Sequence, residues 1–65
     1  MKWLDAAEIA AMLAEKHPGM DPLKARFTDL HRWVLELEGF ADEPARSNEK
    51  LLEAIQLAWL DEVSP

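Results

Sequence analysis

The sequence predicts an all-α domain: four short helices of unequal length around a helix-turn-helix-like core. Three observations carry this. Ten of the 65 residues are Ala and ten are Leu, against two Val, two Ile, one Thr and no Tyr. Ala and Leu lose little freedom in a helix, whereas branched and aromatic side chains suit a pleated sheet. Apolar residues recur at helical spacing, most clearly Leu30, Trp33, Val34 and Leu37 at i, i+3, i+4 and i+7. Finally, Asp, Ser, Pro and Gly punctuate these stretches where helices start and stop. The length suits one domain, so residues 1–65 are read as a single unit.

The first helix is expected from Ala6 to about Lys16. Asp5 fits the N-cap, Glu8 the third helical position of a capping box, and Leu4 with Ile9 a hydrophobic staple. Ala6, Ile9, Met12 and Leu13 share its inner face. His17-Pro18-Gly19 stops it, because the residue before proline is pushed out of the α region. Asp21-Pro22 starts a second, very short helix to about Arg26, with proline at its first position. Thr28 is the expected cap of the third helix, which Gly39 ends.

Residues 40–46 read as an ordered loop pinned by Phe40. Ser47 then caps a fourth helix from Asn48 to about Glu62. Leu51, Leu52, Ile55, Ala58 and Trp59 form its inner stripe, while Leu57 and Leu60 lie toward the outside. Trp33 and Trp59 are expected in the core, with Trp3 closing over it.

Thirteen acids against seven bases leave a net charge of −6. Counterion release rewards cationic surfaces, so nucleic acid and anionic membrane are poor partners. Basic protein surfaces and hard cations remain. No apolar run approaches a membrane span and no leader-like segment precedes the first helix, so the cytoplasm is the expected location.

The absence of Cys removes disulfides, thiolate metal sites and cysteine nucleophiles, and two Gly cannot build a glycine-rich phosphate loop. His31 finds no good ligand three or four residues away, and His17 sits beside Pro18 at a helix end, where a cation complements the dipole. No Ser–His–Asp arrangement can be built locally, so the chain is not expected to be an enzyme. Asp29, Arg32 and Glu36 read as a solvated charge ladder. Residues 36–43 hold Glu36, Glu38, Asp42 and Glu43 and no base. This stretch is either an acidic solvated loop, an oxygen-donor site for a hard cation, or a docking face for basic residues.

Four ordered segments are familiar together: Phe27-Thr28-Asp29-Leu30-His31 with Trp33; Phe40 with Asp42-Glu43-Pro44; Ser47-Asn48-Glu49-Lys50-Leu51-Leu52-Glu53-Ala54-Ile55; and Trp59-Leu60-Asp61-Glu62. With Asp21-Pro22 and Trp3, Asp5 and Glu8-Ile9, they resemble the IscX (YfhJ) family of iron–sulfur cluster assembly proteins over essentially the whole chain. The resemblance implies a modified winged-helix fold, mainly helical, and no catalytic activity. It implies a small acidic adaptor that binds and modulates the cysteine desulfurase of cluster assembly, using the basic surface also used by bacterial frataxin and ferredoxin. As an alternative, it implies weak binding of ferrous and ferric iron by surface carboxylates and iron donation.

The expected docking residues are Asp29, Glu36, Glu38, Asp42 and Glu43. Clustering alone makes Glu36, Glu38, Asp42 and Glu43 the candidate iron ligands. Ala41 and Gly39 stand where the family pattern carries acids, which thins the patch and favours docking over iron binding. A monomer is the expected form.

Overall fold

The computed structural model describes residues 1–64 and is mainly helical. Three α-helices, α1 (Ala6–Lys16), α2 (Phe27–Leu35) and α3 (Glu49–Val63), are joined by two single 3₁₀ turns at Pro22–Lys24 and Pro44–Arg46. The all-α class holds. The expected four-helix count does not, because the second segment is one 3₁₀ turn rather than an α-helix. Asp21 shapes that turn by accepting the Leu23 N–H at 3.0 Å, and proline occupies its first position. No strand occurs among the described residues, so no β-hairpin wing accompanies the helices.

The first helix has the expected bounds but a different start. Asp5 is the N-cap residue, yet its carboxylate accepts the Lys2 N–H at 2.8 Å and makes no cap bond into α1. The capping box with Glu8 is therefore not formed. Nor is the staple: Leu4 is 82% exposed, while its neighbour Trp3 is buried. At the other end, His17 N–H closes onto Leu13 O, and Gly19 takes φ +82°, which lets the chain reverse.

Thr28 is not a cap, because α2 already begins at Phe27. Arg26 is the extended residue before it, and its carbonyl takes the Leu30 N–H at 2.8 Å. The helix also ends earlier than expected, at Leu35. A further turn, closed by Leu37 N–H to Val34 O and Phe40 N–H to Leu37 O, carries the chain to Gly39 at φ +85°. Ser47 does not cap α3 either; Asn48 does, its side-chain oxygen accepting the Leu51 N–H at 2.9 Å.

The core is Trp3, Ile9, Ala10, Leu13, Leu30, Val34, Leu37, Leu52, Ile55 and Trp59. Packing is most extensive between α1 and α3, and α2 contacts both. Ala10, which lacks bulk, is fully buried, as close helix contact requires. Gln56 on α3 donates to Pro22 O at 2.9 Å and ties the first 3₁₀ turn to the core.

Trp33 is not a core residue: it is half-buried. Its ring lies between His17, at 4.7 Å, and the edge of the fully buried Trp59, at 6.3 Å and 86°. Outside this core Leu57 is exposed and Leu60 half-buried, in keeping with their outer positions on the helix wheel.

Candidate functional site

The acidic residues singled out by the sequence belong mostly to one connection, residues 36–48, between α2 and α3. A connection of this length needs bracing from elsewhere in the chain, and the N-terminal residues supply it. Met1 N donates to Gly39 O at 2.7 Å, and Ala41 N–H returns a bond to Met1 O at 2.9 Å. Trp3 N–H reaches Asp42 Oδ2 at 3.2 Å, and the Trp3 indole N–H reaches Glu43 O at 2.8 Å.

The Trp3 ring is 2% exposed. It stacks on His31 at 5.1 Å and receives the edge contact of Phe40 at 4.9 Å. His31 Nε2 lies 2.8 Å from Pro44 O. A carbonyl can only accept, so this nitrogen carries the proton. His31 is thus a brace between α2 and the second 3₁₀ turn.

Asp42 is part of this brace rather than a loose surface acid. Its Oδ1 accepts the Glu43 N–H at 2.8 Å while Oδ2 accepts from Trp3. The two backbone N–H groups, Trp3 first, hold its carboxyl below the ordinary 3.8, with Arg46 and Lys2 adding smaller attractions. Desolvation opposes the shift and outweighs either cation taken alone. Asp42 and Glu43 share a depression of about 330 Å³ with Lys2, Ala41 and Arg46. Lys2, from forty residues away, and Arg46, three residues beyond Glu43, therefore stand beside these carboxylates, although residues 36–43 hold no base.

The remaining predicted residues stay on the surface. Glu36 and Glu38 follow the end of α2 and are exposed, as is Glu43. Asp29 pairs with Arg32 at 3.4 Å, the one ion pair among the described residues. That pair is largely solvated and contributes a few tenths of a kcal/mol. Glu36, Glu38 and Glu43 thus carry no ion pair. The four residues expected to hold iron are not gathered into a chelating set: among the described residues, no three His, Asp or Glu side chains are placed to hold a metal ion.

Sequence reasoning missed Lys2, Trp3 and Arg46 as parts of this region. No local signal could have found Lys2 and Trp3, because nothing in the sequence says that positions 40 residues apart meet. A second depression of about 310 Å³ is lined by Phe27, Thr28, His31 and Leu52. No helix is long and apolar enough to cross a membrane.

Residues 1–64 match the family described as iron-sulphur cluster assembly. The chain is also 55% identical over 62 residues to an uncharacterized protein of Pseudomonas aeruginosa, spanning 95% of this chain and 94% of that relative. A match across the whole described chain leads to one assignment: the chain belongs to the IscX/YfhJ family of iron–sulfur cluster assembly proteins.

Proposed function

We propose that this protein is a non-catalytic adaptor of iron–sulfur cluster assembly that docks on a basic surface of the cysteine desulfurase and modulates it. The observation that carries the reading is the state of the α2–α3 connection. It is braced into one conformation, and it presents Glu36, Glu38 and Glu43 exposed and without ion pairs. Preorganised like charges on a fixed loop lose little conformational entropy when a complementary surface arrives. Asp29 adds charge from the first turn of α2, reduced by Arg32. Asp42 acts mainly by holding the loop.

The net charge of −6 supports the same direction. Opposite fields raise the association rate and suppress partners of the wrong sign. Iron delivery is the weaker reading, since the carboxylates are not drawn together as ligands. The test is co-elution of the purified protein with the desulfurase at low and at high salt. Complex formation at low salt that fades at high salt is expected; no complex at either salt overturns the proposal.

A further inference from the structure

We propose that residues 1–5 form a strap whose Trp3 plug sets the conformation of the 39–46 connection, making Trp3 a positioning residue for partner docking. The docking part of this proposal rests on the adaptor reading above; the strap part does not.

Four hydrogen bonds join the two segments, and all four run between residues 38 to 40 positions apart: Met1 N to Gly39 O, Ala41 N–H to Met1 O, Trp3 N–H to Asp42 Oδ2, and Trp3 Nε1–H to Glu43 O. The strap is anchored through one side chain. Trp3 is buried, whereas Lys2 on one side and Leu4 on the other are exposed. Within the connection itself, Phe40 N–H to Leu37 O, Glu43 N–H to Asp42 Oδ1 and Arg46 N–H to Glu43 O are all local turn bonds. Such bonds define a turn but cannot fix where the turn points relative to the helices. That direction comes from Trp3 and from His31 at Pro44 O.

Met1 N to Gly39 O is exposed, the two Trp3 bonds are part-buried, and Trp3 is the strap's one buried side chain, while α1 and α3 are knit by several fully buried residues. Segments with few buried contacts open below the global unfolding free energy, and they do so as units. The strap and the connection form such a unit. When it opens, Trp3 withdraws, Asp42 loses its N–H partner, and Glu38 and Glu43 lose their fixed placement together.

Hydrogen exchange followed by NMR on the full chain tests the strap. In the wild type, the amides of Trp3 and Ala41 should exchange with one common opening constant, and faster than those of Ile55 and Trp59 in α3. Unequal constants for Trp3 and Ala41, or exchange as slow as the α3 core, overturn the strap. Trp3→Phe keeps an aromatic plug and the net charge but removes the indole donor. It should speed Ala41 exchange by about tenfold or more and weaken desulfurase binding several-fold, while α3 amides change less. Asp42→Ala, which leaves Trp3 in place, should act in the same direction and covers the case in which Trp3→Phe fails to fold. Faster Ala41 exchange with unchanged affinity refutes the positioning role alone. If Glu36→Lys, Glu38→Lys and Glu43→Lys together leave affinity unchanged, the docking reading is what fails, and the exchange data still decide the strap.

Discussion

Trp3 donates its indole N–H to the carbonyl of Glu43 at 2.8 Å, across 40 residues of chain. That bond joins the first turn of the molecule to the acidic connection and makes one buried aromatic residue serve both stability and surface shape. Trp3→Ala should therefore do two things at once. It should cost about 3–5 kcal/mol, the usual range for a buried aromatic truncation, and it should lower the melting temperature accordingly. A melting temperature equal to the wild type's would show that Trp3 is not part of the core.

The two other tryptophans should separate. Trp59 is fully buried, and its Nε1 is the one buried side-chain polar atom without a hydrogen-bond partner among the described residues. Trp59→Ala should cost about 3–5 kcal/mol. Trp33 is half-buried and should cost clearly less. Trp59→Phe should be milder than Trp59→Ala, because it removes the unsatisfied donor along with part of the ring. Denaturant melts of the three variants check the order; equal losses for Trp33→Ala and Trp59→Ala would contradict it.

Acid should loosen the brace through Asp42. Its folded-state pKa lies below the ordinary 3.8 because the Trp3 and Glu43 N–H groups favour the carboxylate. The stability it contributes is present in full above that ordinary value, and it is lost as pH falls through the lower folded value. Lys2 and Arg46 face the same carboxylate. Asp42→Asn should flatten the acid limb of a stability–pH profile below about pH 4. A profile identical to the wild type's would remove Asp42 from the brace.

Much of the helical scaffold was legible in the residues. The stop at His17-Pro18-Gly19, the Asp21-Pro22 start and the stripe through Leu52, Ile55 and Trp59 are local signals, and local signals suffice for them. The errors have two causes. Asp5, Leu4, Thr28 and Ser47 all carry the right chemistry for a cap or staple, but the first three were displaced by Trp3 and Phe27 seeking the core. Asn48 stood one residue closer to the α3 start than Ser47 did. For the candidate site, the exposed acids could be read from composition. The brace could not, because a bond between positions 3 and 43 leaves no periodic trace.

Gly39 offers a check on the connection itself. At φ +85° an L side chain is strained even though a Cβ there would meet nothing within 4 Å. Gly39→Ala should destabilise by about 1–2 kcal/mol, the cost of the left-handed conformation. Gly39→Asn should cost less, since Asn tolerates that region. Equal melting temperatures for all three proteins would place the turn elsewhere.

Ferrous iron should bind diffusely. With no chelating group of three among the described residues, an NMR titration should broaden signals around Glu36, Glu38 and Glu43 gradually, without a stoichiometric end point. A sharp 1:1 end point, or broadening centred on His17, would contradict this.

Under the adaptor proposal, the exposed acids of the α2–α3 connection dock on the desulfurase. The most direct test is the association rate constant with purified desulfurase, measured for the wild type and for the triple variant Glu36→Lys, Glu38→Lys, Glu43→Lys across a salt series. Charge steering is screened beyond about 8 Å at physiological salt. The wild-type rate should therefore fall steeply with salt while dissociation changes little, and the triple variant should associate slowly at every salt with its helicity intact. A triple variant that associates as fast as the wild type, or a wild-type rate indifferent to salt, would contradict the claim.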